Sequence, residues 1–189
     1  ASGLIWFGDN GGNVYSFNPN TNFVESFKLN QEADIWRTLT DSEGQLWVGS
    51  NNGSTYVLNS SLGRPGNFTA TDGLGNTSIW ATLEAKDGKI WIGTRNGIDV
   101  YDPAQETIQH ISTDAGLVHN SAPTLLEDSQ GRIWVGNNGN GLHIIDLKKQ
   151  TLLQVSTKQG LPDDDTSAIF EDQNGDMWIT SGKIPIGFN

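Results

Sequence analysis

The segment Asp87–Gly97 reads DGKIWIGTRNG, and variants of it recur along the chain. The copies at 41–53 and 128–141 read DSEGQLWVGSNNG and DSQGRIWVGNNGNG, and weaker copies at 1–13 and 172–183 read ASGLIWFGDNGGN and DQNGDMWITSGK. Each copy contains one tryptophan, and successive tryptophans are 41, 44, 43 and 44 residues apart: Trp6, Trp47, Trp91, Trp134 and Trp178. A repeat of this length is typical of β-propeller blades.

Four short runs of branched and aromatic residues alternate with polar turns between residues 78 and 112. This pattern predicts a four-stranded antiparallel meander, the unit of a propeller blade. A glycine ends the turn before the tryptophan strand in most copies, where a tight hairpin requires positive φ. The predicted strands are Ile79–Glu84, Lys89–Thr94, Ile98–Asp102 and Thr107–Ile111.

The tryptophan strand has two apolar faces. Side chains alternate along a strand, so Trp91 and Gly93 share one face while Ile90 and Ile92 share the other. A strand that is apolar on both faces is buried on both sides, as in a ring of stacked sheets. We therefore expect the repeated indole to be core rather than a ligand platform, and the glycine beside it to let the next sheet approach closely.

These repeats predict an all-β fold: a β-propeller of four-stranded antiparallel blades, about four blades in all, forming an incomplete or fragmentary ring. We expect a single propeller section over residues 1–189. The first copy lacks an inner strand and the last stops early, which predicts three complete blades, a partial blade at each end and a section of a larger ring. Open blade faces and edge strands would then self-associate, unless the ends rearrange into a small closed ring. The approximate repeats are 1–40, 41–84, 85–127, 128–171 and a partial 172–189.

Charge and composition exclude several classes of function. Acidic residues outnumber basic ones, 22 to 11, and the net charge of −11 disfavours binding to nucleic acid or to an anionic membrane surface. The chain has no cysteine, and His110, His119 and His143 lack the spacing of metal ligands. The acidic run Asp163–Asp165 lacks the alternating ligand pattern of a calcium loop and is interpreted as a solvated loop. We expect neither a metal nor another cofactor.

Two segments resemble a known repeat family. GLGNTSIWATLEAKDGKIWIGTRNGIDVYDP, at 73–103, and GLPDDDTSAIFEDQNGDMWIT, at 160–180, are similar to the two-component regulator propeller repeat. The sequence departs from that pattern at Ala85, which replaces the leading Asp of the turn, and at Thr180 and Ser181, which replace Gly-Thr. The first inter-blade loop, LNQEAD, also lacks the Gly-Leu pair.

The resemblance implies a function and a location. Repeats of this family build extracytoplasmic sensor domains of membrane-bound histidine kinases and related bacterial regulators, often with carbohydrate ligands. It therefore implies a sensor module on the periplasmic or extracellular side of the inner membrane, without enzymatic activity. A motif of this kind indicates the fold more strongly than the ligand.

A candidate ligand site lies on what we call the loop face, which carries the Gly-Leu segments at 73–74, 116–117 and 160–161 together with the Asn-Gly turns. Trp36 and Trp80 stand outside the repeated indoles, at equivalent positions near the loop-face end of neighbouring inner strands, where the next copies have Pro123 and Ser167. Inter-blade packing is favoured over ligand contact because inner strands are usually buried. The ligand hypothesis predicts stacking and hydrogen bonding to an oligosaccharide. Its residues are Trp36, Arg37, Trp80, Arg95, Asn96, His119, Asn137 and Asn138.

Two other functions remain open. A propeller lyase or glycosidase requires paired acid and base groups, and no convincing pair is visible. Asp34, Asp99 and His143 are candidates only because they interrupt apolar patterns, and the last two share a column with Tyr15 and Tyr56 in the third strands. A protein-interaction or structural module is the remaining alternative, which apolar residues on the loop face would favour.

Overall fold

A computed structural model describes residues 3–29, 34–51, 55–59, 65–68, 73–76, 78–115, 117 and 121–188. These residues form eighteen strands and two short 3-10 segments, Thr113–Ala115 and Thr157–Gln159. The strands are β1 (Ile5–Gly8), β2 (Asn13–Asn18), β3 (Phe23–Lys28), β4 (Ile35–Thr40), β5 (Gln45–Ser50), β6 (Thr55–Asn59), β7 (Pro65–Phe68), β8 (Ile79–Glu84), β9 (Ile90–Thr94), β10 (Gly97–Asp102), β11 (Thr107–Ile111), β12 (Thr124–Glu127), β13 (Arg132–Gly136), β14 (Leu142–Asp146), β15 (Thr151–Val155), β16 (Thr166–Glu171), β17 (Met177–Ser181) and β18 (Ile184–Phe188).

The strands form five antiparallel sheets in chain order. The three central sheets, β4–β7, β8–β11 and β12–β15, each have four strands, whereas β1–β3 lacks an inner strand and β16–β18 lacks an outer one. This arrangement confirms the predicted all-β propeller, with three complete blades and a partial blade at each end. The last four sheets each begin one strand before the corresponding sequence repeat, because the inner strand at the end of one repeat pairs with the tryptophan strand of the next.

The sheets pack against one another through their inner strands. Strand β4 lies against β8, β8 against β12, and β12 against β16, while β1 packs on β4. Among the described strands, no substantial packing joins the first sheet to the last. The propeller is therefore an incomplete ring.

The repeated indoles fill the spaces between sheets, as expected. Trp47 lies in one buried cluster with Ile90 and Ile92 of the following sheet. The same relation joins Trp91 to Ile133 and Val135, and Trp134 to Met177 and Ile179. Trp178 is the exception: it is 45% exposed, against 4% for Trp134, because no described sheet follows it.

The glycine two residues after each of the first four repeated indoles admits the next sheet, which confirms its predicted role. A Cβ placed on Gly49 would lie 2.7 Å from Cγ2 of Ile79, in the inner strand of the following sheet. A Cβ on Gly136 would lie 2.6 Å from the backbone oxygen of Thr166, again in the next inner strand. Such distances lie well inside van der Waals contact, so only glycine allows the observed spacing between sheets.

The leading aspartate of each turn has a role that sequence reasoning did not find. The Asp41 carboxylate accepts hydrogen bonds from the backbone N–H groups of Glu43 and Gln45 and from Nε1 of Trp47, the last at 2.8 Å. Asp128 and Asp172 bind the indoles six residues later in the same way, at 2.8 and 3.0 Å. The carboxylate thus joins the turn to the buried indole.

A second repeated contact joins neighbouring sheets. The last residue of an inner strand, Glu84, accepts a hydrogen bond from the backbone N–H of Ser42 in the preceding turn, at 2.8 Å. Glu127 and Glu171 accept equivalent bonds from the N–H groups of Lys86 and Ser129, at 2.6 and 2.8 Å. These bonds join neighbouring sheets on the face that carries the DxxG turns, which we call the turn face.

Candidate functional site

The two unusual tryptophans lie at irregular points of their strands. Ile35 pairs with Ser50 and Arg37 with Gly49, so Trp36 is an extra residue in the pairing of β4 with β5. Trp80 occupies the same position in β8, where the register shifts between Ile79 and Ala81. An extra residue of this kind is a β-bulge, which changes the direction of its side chain and is frequent beside functional sites.

The bulges bring the two indoles together on the loop-face side of the inner strands. The ring centroids of Trp36 and Trp80 are 6.4 Å apart, with the planes inclined at 47°. Trp36 is 46% exposed, although inner strands are usually buried. Trp80 is half-buried. The indole of Trp36 therefore presents a large apolar surface to solvent.

An open depression of about 550 Å³ surrounds these rings. Its lining residues are Ile35, Trp36, Arg37, Trp80 and Pro123. Arg37 is exposed, and its Nη1 donates to the backbone oxygen of Trp36 at 3.0 Å, which fixes one nitrogen of the guanidinium beside the indole. The other guanidinium N–H groups can donate to a ligand, so the depression combines aromatic faces with hydrogen-bond donors.

Three of the predicted site residues lie elsewhere on the loop face. Arg95, Asn96 and Asn138 are exposed in the turns that follow β9 and β13, and none of them lines the depression. The backbone N–H of Arg95 donates to the oxygen of Ser78 at 3.2 Å, so this turn lies next to the segment that enters β8. These side chains can contact only a ligand that extends beyond the depression.

Asn137 differs from the other predicted site residues because it is buried. Its Nδ2 lies 2.8 Å from Nδ1 of His143, a buried side chain whose pKa is lowered to about 4 by burial. The Asn137 side chain therefore makes its contact inside the fold and is not part of the surface that a ligand contacts. His119 lies outside the described residues.

The structure also shows a paired carboxylate and imidazole in the third sheet. Asp99 is fully buried, and its Oδ1 lies 2.6 Å from Nδ1 of His110, which is directly opposite it on β11. Its Oδ2 accepts from the N–H of Gly75 at 3.0 Å. Burial raises the pKa of Asp99, against the opposing effect of these hydrogen bonds. Counting the register of the β10–β11 hairpin from its turn at 103–106 would have found this pair.

The three enzyme candidates all make contacts within the fold. Asp34 Oδ2 accepts from Nδ2 of Asn51 at 2.5 Å, which ties the entrance of β4 to the end of β5. Asp99 holds the loop before β8, and His143 contacts an amide in the interior. These contacts explain structurally why polar residues interrupt the apolar pattern of the chain at these three positions.

The repeated turn and indole are shared with a known family. Residues 73–96, 116–139 and 160–183 each match the family described as two component regulator propeller, from the Gly-Leu pair through the tryptophan strand. These three segments are repeats of the two-component regulator propeller family. In each matched segment the leucine, Leu74, Leu117 or Leu161, is buried between sheets, which explains why the Gly-Leu pair recurs.

Solved structures of low sequence identity share the fold. The extracellular domain of hybrid two component system BT4673 from B. thetaiotaomicron aligns with a TM-score of 0.81 and 19% identity, over 100% of this chain and 28% of that one. The extracellular domain of hybrid two component system BT3049 from the same organism aligns with a TM-score of 0.76 and 17% identity, over 96% of this chain and 25% of that one. The chain thus spans about a quarter of the length of these proteins.

An enzyme also shares the fold. Virginiamycin B lyase from Staphylococcus aureus aligns with a TM-score of 0.75 and 14% identity, over 100% of this chain and 67% of the lyase. At these identities the similarities establish the propeller fold alone. No curated protein sequence matches the chain. Among the described residues, no helix has the length and hydrophobicity of a membrane span.

Proposed function

We propose that this chain is part of a ligand-sensing propeller of a bacterial two-component signalling protein, and that it binds an oligosaccharide in the depression between Trp36 and Trp80. The three regulator propeller repeats support the signalling role. The extracellular domains that share the fold support a position outside the cytoplasm, on the periplasmic or extracellular side of the membrane.

The observation that carries the ligand proposal is the exposed indole at a β-bulge. A bulge costs regular ladder hydrogen bonds, and here it turns Trp36 toward solvent instead of burying it. The second copy of the same feature, at Trp80, makes a pair of aromatic surfaces. Neighbouring inner strands that carry Pro123 or Ser167 at this position fold without an indole, so the blade does not require it.

The chemistry of the depression suits a sugar. The apolar faces of pyranose rings pack on indoles, and hydroxyl groups accept hydrogen bonds from a guanidinium. Arg37 adds a positive charge to a chain of net charge −11, which favours an acidic sugar over a neutral one at this point of the surface. The exposed Arg95, Asn96 and Asn138 would contact the outer residues of a longer oligosaccharide.

Isothermal titration calorimetry with a panel of neutral and acidic oligosaccharides tests the proposal. Trp36→Ala should weaken binding of the best ligand about tenfold or more, equivalent to about 1.4 kcal/mol. Circular dichroism and the melting temperature should stay near wild type, because nearly half of the Trp36 side chain is already exposed.

Trp178→Ala is the matched control, since this indole is equally exposed but lies on the last sheet, away from the depression. It should leave the affinity unchanged. Arg95→Ala measures how far the site extends beyond the depression. If no oligosaccharide in the panel binds, or if Trp36→Ala mainly unfolds the protein, the carbohydrate function must be abandoned and the indoles interpreted as packing.

A further inference from the structure

The third sheet lacks one component of the repeated turn. In three other turns, an aspartate carboxylate accepts from two backbone N–H groups and from an indole Nε1, as Asp128 does from Trp134. Ala85 occupies the equivalent position before Trp91. Trp91 is 1% exposed, and among the described residues its Nε1 has no hydrogen-bond partner. A buried donor left unpaired is destabilising, so a group that pairs with it stabilises the fold.

A cleft adjoins this turn on the turn face. It lies between the third and fourth sheets, has a volume of about 410 Å³, and is lined by Ala85, Lys86, Glu127 and Lys148 among other residues. The corresponding cleft between the second and third sheets, of about 490 Å³, is lined by both Asp41 and Trp47. Ala85, which occupies the position of Asp41 in the sequence repeat, lines the cleft between the third and fourth sheets in place of a carboxylate.

The charged residues that line the cleft are two lysines and two carboxylates, Lys86, Lys148, Asp87 and Glu127, and Oδ1 of Asp87 accepts from the backbone N–H of Lys89 at 3.1 Å. Lys86 and Lys148 border the cleft, and their Nζ atoms donate only to backbone oxygens, those of Asp128 and Gln130, at 2.6 and 3.1 Å. The carboxylate of Glu127 is occupied by the N–H of Lys86. Neither ammonium group has a carboxylate partner among these contacts.

The equivalent turns show that this set of donors stabilises an ionised carboxylate. The indole N–H of Trp178, followed by backbone N–H groups, holds the pKa of Asp172 below its ordinary value. At Asp128, burial would raise the pKa, but the hydrogen bonds from Trp134 and Arg132 outweigh it and lower the pKa. The third turn retains the indole and the N–H of Asp87, the counterpart of the N–H of Glu43.

We propose that the cleft between the third and fourth sheets binds a small molecule through its carboxylate, which takes the position of the missing turn aspartate and accepts from Trp91 Nε1 and the Asp87 N–H. The rest of the ligand lies in the cleft near Lys86 and Lys148. This site is on the opposite face from the depression at Trp36, and the two are independent.

Acetate is the probe, because it carries the carboxylate and little else. A ligand of four non-hydrogen atoms, at an efficiency typical of very small ligands, binds with a dissociation constant on the order of 1 mM. In ¹⁵N-labelled protein, acetate added at constant ionic strength should move one of the seven indole N–H signals downfield in a saturable way. The melting temperature should rise with the same concentration dependence.

Ala85→Asp supplies the carboxylate from within the chain and is the decisive control. In this variant the indole N–H signal of Trp91 should already have the chemical shift of a hydrogen-bonded indole, and the melting temperature should exceed that of wild type. Acetate should change neither the chemical shift nor the melting temperature. Trp91→Phe assigns the signal; if that variant does not fold, the signal displaced by Ala85→Asp provides the assignment. An unchanged wild-type spectrum at about 100 mM acetate, roughly a hundredfold above the expected constant, overturns the proposal. So does an equal response in Ala85→Asp.

Discussion

Gly136→Ala tests whether the spacing between sheets depends on the glycine beside each indole. The backbone of Gly136 does not have positive φ, so alanine is allowed there and the effect is purely one of space. Its Cβ would lie 2.6 Å from the backbone oxygen of Thr166. Two hydrogen bonds cross the same contact, between the N–H of Asn137 and Oγ1 of Thr166 at 2.8 Å and between the N–H of Thr166 and the oxygen of Asn137 at 2.9 Å.

The expected cost follows from these contacts. An ordinary carbon–oxygen contact requires β16 to move away by somewhat less than 1 Å, and overpacking of this kind costs about 1–3 kcal/mol. The same movement weakens the two hydrogen bonds, each of which contributes about 0.5–1.5 kcal/mol. We expect a total destabilisation of about 2–4 kcal/mol, which lowers the melting temperature of a chain of this size by roughly 5–15 °C.

Urea denaturation followed by circular dichroism measures this free energy of unfolding. Gly187→Ala is the matched control, because it is also a strand glycine without positive φ and its Cβ would come no closer than 3.3 Å to the exposed ring of Trp178. That variant should stay within about 0.5 kcal/mol of wild type. If Gly136→Ala is equally mild, the glycine does not set the spacing between sheets and the reasoning is wrong.

Two further predictions concern acidity and association. Burial lowers the pKa of His143 to about 4 in the folded protein from its ordinary value of 6.5, so between these pH values the unfolded chain binds a proton that the folded chain does not. The free energy of unfolding should therefore fall by up to about 3 kcal/mol as the pH drops from 7 to 4. Urea denaturation repeated across this pH range measures the change, and His143→Gln should remove it. An equal pH dependence in both proteins would show that His143 is not its source. Trp178 is exposed on the last sheet, and Ile5 and Phe7 are exposed on the first sheet. Between internal sheets, the indole of one sheet packs on apolar side chains of the next, so we expect the two exposed surfaces to pack on each other between chains. Light scattering should show masses above the 20.5 kDa of one chain, and the mass should increase with salt because salt screens the net charge. The variant Trp178→Glu should be a monomer. A wild-type monomer at all concentrations would disprove the association.

Sequence reasoning placed the strands of the central blade almost residue by residue. Predicted Lys89–Thr94 is observed as Ile90–Thr94, and predicted Ile98–Asp102 as Gly97–Asp102. This accuracy arises because the period of two along each strand and the turn glycines are local properties of the chain. The turn glycines, such as Gly44 and Gly131, do have positive φ.

The candidate site was less accessible to the same reasoning. Trp36 and Trp80 were identified because they depart from the repeat, but their exposure results from bulges in the pairing of two strands. Asn137 has the same polar character as Asn138, yet one is buried against His143 and the other is exposed. Only the positions of neighbouring strands distinguish them.

The sequence by itself determined the all-β class, the length of the repeat, the order of strands in a blade and the incompleteness of the two end blades, since each depends on residues that are close along the chain. The tertiary structure decided which donors and acceptors meet across sheets, such as Glu84 with Ser42 and Asp99 with His110. It also decided that Trp134 is buried while Trp178 is exposed, although both occupy the same position of the repeat. The physical reason is that burial depends on the sheet that packs next to the residue, and that sheet is distant in sequence.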